Sequence, residues 1–191
     1  RAEEGLPALG YVVPARVIGD VLSAAVSRID ELDSFCPATV TRVSKTDSAI
    51  SVDIDHDGET TTLSAALLVA ADGADSPLRE QFGIEHIERD YRQTAIVTNI
   101  TPQLAHNNTA YERFTDSGPM ALLPMTGQRC GVVWTVDSSR VEGIMALDDA
   151  GFLAALQQRF GYRLGRLDRV GRRQAWPLRL VQARESVRER L

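Results

Sequence analysis

One short segment constrains the fold of this chain more than any other. Residues 67–71 are aliphatic or small, and Asp72-Gly73 and then Ser76-Pro77 follow them. A short apolar run that turn residues end is typical of a buried strand, and Gly73 has the backbone freedom for a sharp turn. The hydroxyl of Ser76 can cap a helix that begins at Pro77. Proline suits the first helical position, because the N–H there would be unpaired in any case. The segment therefore predicts a strand, a tight turn and a helix in succession.

That succession has two interpretations. In open α/β sheets, ligands bind in a crevice outside the carboxyl ends of the strands, where an acidic residue ahead of a helix can contact them. An ordinary connection explains the same residues, because Asp-Gly is a common turn pair. The local pattern leaves a nucleotide-related site and a simple turn both open.

Resemblance to a known family favours the first interpretation. Asp72-Gly73-x-x-Ser76-x-x-Arg79 resembles the second fingerprint of the FAD-dependent aromatic hydroxylases, the family that includes p-hydroxybenzoate hydroxylase. The chain is similar to the ubiquinone-biosynthesis branch of that family from about Gly5 to Leu191. The segments that carry this similarity are Pro7–Val13 followed by Arg16, Tyr111–Thr115, Gly118–Met125, Arg129–Thr135 and Trp176–Leu178.

The resemblance implies a monooxygenase that uses FAD as cofactor and NAD(P)H as reductant to hydroxylate a polyprenylated phenol. It implies cofactor-binding positions at Arg16, Asp72, Gly73, Asp75 and Arg79. The guanidinium of Arg79 suits a phosphate, although a salt bridge that only holds the turn explains it equally well. Arg16 begins a helix, where the helix dipole disfavours a cation, so its position there favours a functional role. The alternative is an ordinary surface arginine. No catalytic residue is assigned, because in such enzymes the flavin carries the oxygen chemistry.

Two motifs of the family are absent from this chain. Family members begin with a Gly-x-Gly-x-x-Gly turn that holds the FAD pyrophosphate, and a Gly-Asp or Gly-Asn pair follows the last segment matched here. No Gly-x-Gly-x-x-Gly occurs in the 191 residues, and no Gly-Asp or Gly-Asn pair follows Trp176–Leu178. We therefore expect an interior part of a longer flavoenzyme, with the flanking segments of the parent chain as its partners. The isolated part is expected to be inactive and to bind FAD weakly or not at all.

Periodicity along the chain predicts an α+β fold, with a mixed or antiparallel substrate-domain sheet, helices and part of an FAD-binding α/β domain. The expected domains are 1–82, a partial FAD-binding domain, and 83–191, a substrate-binding β-sheet domain. An apolar stripe at helical spacing predicts a helix over Pro14–Ile29, and alternation predicts an antiparallel meander over Ala38–Leu63. The other expected elements are a strand over Leu67–Ala71, a short helix near Pro77–Phe82, four consecutive antiparallel strands (Gln93–Ile100, Ala110–Phe114, Pro119–Pro124 and Cys130–Val136), a helix over Asp148–Phe160 and a strand within Gly171–Val181.

Charge and composition narrow the partners. The net charge of −5 argues against nucleic acid as a partner. Residues 159–191 nevertheless carry ten arginines against three acidic residues. Such a face either meets anionic lipid headgroups or consists of arginine stems that cover the core and pair with acidic residues. The resemblance implies a cytoplasmic protein, peripheral to the inner membrane and associated with a ubiquinone-biosynthesis complex.

Two other classes of function stay open. A non-catalytic α+β module that holds a hydrophobic ligand would use the same sheet without redox chemistry. A flavin-dependent prenyl reductase or halogenase would keep the cofactor and change the reaction, although the Trp-x-Trp-x-x-Pro pattern of halogenases is absent. Exposed sheet edges would favour self-association to a homo-oligomer.

The remaining residues with reactive side chains show no spacing that suggests a site. His56, His86 and His106 lack metal-ligand spacing, so we expect no metal and place each histidine on the surface or in a loop. Cys36 and Cys130 are expected to be free, buried thiols. Trp134 and Trp176 belong to regions that we expect beside the substrate cavity, although a place in the core explains each of them as well.

Overall fold

The computed structural model describes residues 5–191 and divides into two compact units. Unit 1 comprises the described residues up to Ser23 together with Asp90–Arg179, and unit 2 comprises Ala24–Arg89 and Leu180–Leu191. The units therefore alternate along the chain, whereas the sequence analysis expects one boundary between residues 82 and 83. The assignment of a cofactor or substrate role to either part stays a prediction.

An antiparallel sheet forms most of unit 1. Its strands lie in the order β5-β6-β7-β4-β8, and β9 also pairs with β4. The strands are β4 (His86–Pro102), β5 (Tyr111–Thr115), β6 (Gly118–Pro124), β7 (Cys130–Asp137), β8 (Leu167–Val170) and β9 (Gln174–Ala183).

Three helical segments follow β7 in unit 1. They are a 3₁₀ turn (Ser138–Arg140), α3 (Val141–Met145) and α4 (Asp149–Phe160). Phe152, Leu156 and Phe160 recur at helical spacing along α4, and all three are buried against one face of the sheet. On that face, alternate residues of the central strands form the core: Ile96, Ile100, Met120, Leu122, Val132, Trp134 and Val136.

The position of β4 differs from the expected order of four consecutive strands. β5, β6 and β7 are neighbours in sequence and in the sheet, as expected, but β4 pairs with β7 rather than with β5. The register places Ile96 opposite Trp134 and so joins two large core residues on one face. Burial of that face determines the register, because a shift by one residue would turn every side chain over.

In unit 2, β1 (Thr39–Lys45), β2 (Ile50–His56) and β3 (Glu59–Ala65) form an antiparallel sheet in sequence order. This confirms the predicted meander. The short helix α2 (Pro77–Gln81) begins after Ser76, as its sequence predicts. Leu78 of α2 is buried with four aliphatic residues of the meander: Val43, Ile50, Val52 and Ile54.

The first helix, α1, extends over Ala15–Val26, within the predicted range. None of its residues is buried, and its apolar stripe is exposed, with Val21 at 63% and Leu22 at 59% of their full accessibility. Among residues 5–191, no helix combines the length and the apolar character needed to cross a lipid bilayer.

The prediction of a strand over Leu67–Ala71 is wrong. These residues form no strand, and Leu67 and Val69 are 60% and 75% exposed. An extended segment becomes a strand only when a neighbouring backbone completes its hydrogen bonds. The described chain supplies one such bond, from the N–H of Leu68 to the carbonyl oxygen of Arg190 at 2.9 Å.

Candidate functional site

The Asp-Gly segment forms a compact loop in unit 2. Gly73 adopts φ +86°, in the left-handed region that favours glycine. The Ser76 hydroxyl accepts a hydrogen bond from the N–H of Arg79 at 2.9 Å and so caps α2, with Pro77 at the first helical position. The turn and the cap are therefore placed as the sequence predicts, directly after the aliphatic run.

Asp72 is the acidic group of this loop. Its Oδ2 accepts a hydrogen bond from the N–H of Leu78 at 3.3 Å, which links the turn to α2. Partial desolvation is the largest single influence on the pKa of Asp72 and raises this pKa. Hydrogen bonds from Ser76 and Leu78 and the positive charge of Arg79 together lower the pKa by more. The pKa of Asp72 therefore lies below its ordinary value. An exposed, ionised carboxylate at this position can accept hydrogen bonds from the hydroxyl groups of a ligand.

Arg79 closes the loop from the other side. Its Nη2 donates to the carbonyl oxygen of Ala74 at 2.6 Å, and its positive charge lowers the pKa of Asp72. The arginine therefore holds the turn, as one of the two interpretations expects, but through a backbone carbonyl. Asp75 lies in the exposed middle of the same loop.

Arg16 lies elsewhere in the chain. It is the second residue of α1, in unit 1, whereas the other four expected cofactor positions lie in unit 2. Its Nη1 lies 3.1 Å from Oδ2 of Asp20, one helical turn later, and both side chains are largely exposed. A pair of this kind contributes little to stability.

A cavity of about 480 Å³ lies beside the loop in unit 2. Its lining comes from the aliphatic run, the loop and Ile84, and from Ala183, residues 185–188 and Leu191 near the C-terminal end of the chain. Its charged and hydroxyl-bearing lining includes Asp72, Ser76, Arg79 and Arg188. The cavity therefore combines apolar walls with a few polar groups, which is the usual composition of a small-molecule site.

Sequence reasoning missed the contribution of residues 185–191 to this site. Arg188 donates to the carbonyl oxygen of Phe82 and forms an ion pair with Glu185. Lys45 Nζ lies 2.8 Å from Oε2 of Glu189. The contacts of Arg188 with Phe82 and of Lys45 with Glu189 join residues more than one hundred positions apart, so no local pattern indicates them.

Four arginines of the arginine-rich C-terminal part, Arg159, Arg166, Arg173 and Arg188, form ion pairs with acidic residues. Arg159 forms an ion pair with Asp116, and Arg173 forms one with Asp149 and stacks on the ring of Phe152, with 5.0 Å from its Cζ to the ring centroid. These contacts support the interpretation in which arginine stems cover the core and pair with acidic residues.

The second face of the unit 1 sheet is the other candidate surface. On this face Val133 lies opposite both Val97 and Ala121, and all three residues are half-buried. Trp134 points to the opposite face and is a core residue, packed edge-to-face on Phe152. This face of the unit 1 sheet therefore presents a row of small and aliphatic side chains.

Cys36 differs from its expected environment, whereas His106 lies in a loop as expected and the place of Trp176 beside a substrate cavity stays a prediction. His106 lies in a loop but is buried, with Nε2 3.0 Å from the carbonyl oxygen of Met125 and Nδ1 accepting from Asn108. Cys36 is exposed, whereas Cys130 is buried as expected, and both thiols are free. Trp176 is 58% exposed. None of these residues lines the cavity beside the Asp-Gly loop.

Comparison with known proteins identifies the family. A family model described as an FAD binding domain matches residues 20–191. The chain belongs to the FAD-binding-domain family. It is 36% identical over 183 residues to the ubiquinone hydroxylase UbiL of Rhodospirillum rubrum. The aligned region covers 96% of this chain and 42% of UbiL. It is 32% identical over 104 residues to the mitochondrial ubiquinone biosynthesis monooxygenase COQ6 of Homo sapiens, covering 54% of this chain and 22% of COQ6.

The fold agrees with this family. The p-nitrophenol 4-monooxygenase PnpA of Pseudomonas putida superimposes with a TM-score of 0.72 at 15% identity, covering 93% of this chain and 45% of PnpA. The resemblance to FAD-dependent hydroxylases of the ubiquinone branch and the α+β class are thereby confirmed. The chain spans less than half the length of the curated relatives that it matches.

Proposed function

We propose that this chain is the middle part of an FAD-dependent monooxygenase that uses NAD(P)H and hydroxylates a polyprenylated phenol in ubiquinone biosynthesis. The observation that carries the proposal is the Asp-Gly loop, folded as a capped turn beside a cavity, in a chain of the FAD-binding-domain family. The names of the relatives UbiL and COQ6 support ubiquinone biosynthesis as the pathway.

The loop fits the sugar portion of a dinucleotide. The ionised Asp72 accepts hydrogen bonds, and no heavy atom lies within 4 Å of the position that a Cβ on Gly73 would occupy, so a ligand can approach the backbone there. In the proposal, Asp72, Gly73 and Asp75 bind cofactor hydroxyls, while Arg79 and Arg16 pair with phosphate charge. Bound FAD, reduced by NAD(P)H, would supply the oxygen transfer that protein side chains cannot carry out.

The second face of the unit 1 sheet is proposed to bind the phenol ring. Its row of Val97, Val133 and Ala121 presents small and aliphatic side chains, which suit a prenylated ring. Apolar walls also exclude water, which favours oxygen transfer to the substrate over side reactions. A peripheral position at the membrane would bring such an enzyme to its lipid-soluble substrate.

The whole gene product tests this function. We expect it to purify yellow, to oxidise NAD(P)H when a prenylphenol is added, and to give a product with one added oxygen atom by mass spectrometry. A colourless protein that refuses FAD but binds the prenylphenol would indicate the hydrophobic-ligand module instead. Flavin-dependent oxidation of NAD(P)H with a saturated prenyl chain and no added oxygen would indicate a reductase.

The isolated 191-residue chain provides a second test. The pyrophosphate-binding turn of the family supplies fixed backbone N–H donors, and this chain has no Gly-x-Gly-x-x-Gly. Loss of those donors should cost several kcal/mol, so we expect FAD to bind the chain about a thousandfold more weakly than the whole gene product. Titration of each with FAD, followed by flavin fluorescence, measures the ratio. Equal affinities would contradict the proposal.

A further inference from the structure

Arg190 holds three separate parts of unit 2. Its carbonyl oxygen accepts from the N–H of Leu68 at 2.9 Å. Its Nη1 donates to the carbonyl oxygen of Ala66 at 3.2 Å, and its Nη2 donates to that of Asp47 at 2.6 Å. The side chain of Arg190 therefore joins the turn between β1 and β2 to the end of β3. Its backbone carbonyl holds the aliphatic run before the Asp-Gly loop.

Arg188, two residues earlier, holds the other end of the loop. Its guanidinium donates to the carbonyl oxygen of Phe82, the residue that ends α2. Leu68 precedes the loop in sequence and Phe82 follows it. Arg190 accepts a hydrogen bond from Leu68, and Arg188 donates one to Phe82. Arg188 also lines the cavity beside the loop. Contacts from residues 188–190 therefore reach the chain on both sides of the loop.

The backbone of Arg190 is strained, which is unusual for a residue without a turn-forming side chain. It adopts φ +65°, in the left-handed region that residues with a Cβ rarely adopt. Its Nε is buried and has no hydrogen-bond partner in residues 5–191. Strain and an unpaired donor persist only where the surrounding contacts hold the residue in place.

We propose that Arg190, assisted by Arg188, is a positioning residue that sets the geometry of the Asp-Gly loop for the cofactor. The inference rests on the proposed function, because it assigns the loop to FAD. Arg190 does not contact the ligand in this proposal. It acts through Ala66 and Leu68, and displacement of supporting contacts by about 1 Å is enough to weaken a site of this kind.

Substitution of Arg190 in the whole gene product tests the proposal. Arg190→Gln removes both guanidinium bonds, and Arg190→Lys keeps the charge but cannot reach two carbonyl oxygens with one planar fork. Arg184→Gln is the matched control, because Arg184 lies in the same segment and donates to Glu85 through its backbone N–H, which the substitution leaves intact.

The readouts are the FAD dissociation constant, the visible absorption and circular dichroism of the bound flavin, and the thermal midpoint of the apoprotein. We expect Arg190→Gln to weaken FAD binding about tenfold or more and to alter the flavin spectrum, Arg190→Lys to do so to a smaller extent, and Arg184→Gln to change neither. The apoprotein of both Arg190 variants should stay folded at the temperature of the titration.

Each other outcome overturns the proposal. A folded Arg190 variant with the affinity and flavin spectrum of the unaltered protein shows that the loop does not depend on this residue. Variants that purify unfolded, with both Gln and Lys, assign Arg190 to the stability of unit 2 alone. Failure of the unaltered gene product to bind FAD refutes the proposed function itself, and is thereby distinguishable from failure of this inference.

Discussion

At Gly73 the backbone alone determines which side chain is tolerated. The residue has φ +86°, and the site that a Cβ would occupy is open. A methyl group would therefore fit at this position, but the left-handed backbone conformation is unfavourable for alanine. Two polar side chains join this turn to the backbone of α2: Asp72 accepts from the N–H of Leu78, and Ser76 accepts from the N–H of Arg79.

Gly73→Ala should destabilise the protein by about 1 kcal/mol, because alanine pays the conformational penalty without a steric clash. Urea denaturation measures the change in the free energy of unfolding. Gly19→Ala in α1 is the control: its Cβ also meets nothing within 4 Å, but it lies inside a helix, so alanine should stabilise by up to about 1 kcal/mol. A stability change of the same sign at both positions would contradict this account.

The Asp72 carboxylate should make stability depend on pH in the acid range. Its pKa is lower in the folded protein than in the unfolded chain. Its stabilising contribution is therefore complete above the ordinary aspartate value of about 3.9 and disappears as the pH falls through the lower, folded value. Asp72→Asn should flatten the fall of the unfolding free energy below about pH 4. Urea denaturation at a series of pH values measures this slope, and an unchanged slope in Asp72→Asn would contradict the assignment.

Among the elements, α4 shows most clearly how local signals and packing combine. Asp148 caps its first turn by accepting from the N–H of Gly151 at 2.7 Å, and Gly161 ends it at φ +88°. Between these ends, Phe152 and Leu156 are completely buried. Both the bounds and the buried face follow from the sequence, because caps act within four residues and the face repeats at helical spacing.

Asp148→Ala should remove this cap and destabilise the protein by about 1 kcal/mol. Asp148→Asn keeps an oxygen that accepts from Gly151, and asparagine caps helices as well as aspartate does, so it should be close to neutral. Thermal denaturation of both variants at neutral pH measures the difference. Equal losses for Ala and Asn would assign the effect to the charge of Asp148 rather than to the cap.

Other elements depended on partners that sequence reasoning did not locate. The aliphatic character of residues 67–71 predicted a strand, but strand formation needs a neighbouring backbone along the whole segment. Only Leu68 finds a backbone partner among the hydrogen bonds that the described residues form there. In the same way, the strand character of β4 was predictable, whereas its place between β7 and β8 was not.

At the scale of the whole molecule, a large apolar surface is accessible on α1. Val17, Ile18, Val21 and Leu22 are between 39% and 63% exposed. Soluble monomers rarely expose a contiguous apolar patch of this kind, and such patches mark contact surfaces or lead to aggregation. The helix would be expected to carry a polar outer face and a covered inner face.

The purified 191-residue chain should therefore self-associate through α1. Val21→Lys combined with Leu22→Lys should lower its apparent mass in sedimentation velocity and reduce its binding of a hydrophobic dye. Ser23→Lys combined with Ser27→Lys adds the same charge at exposed polar positions and should have a much smaller effect. Equal effects of the two pairs would attribute self-association to net charge instead.

The sequence by itself determined the pieces whose causes are local. The turn at Gly73, the cap at Ser76, the bounds of α4 and the β1–β3 meander all depend on residues a few positions apart, and family motifs identified the Asp-Gly loop as a candidate cofactor site. Tertiary structure alone decided which backbone groups Arg188 and Arg190 bind, that Trp134 lies in the core, and which strand β4 adjoins. These depend on contacts across tens to more than a hundred residues, where burial and hydrogen-bond geometry select one pairing among many that the sequence pattern allows equally.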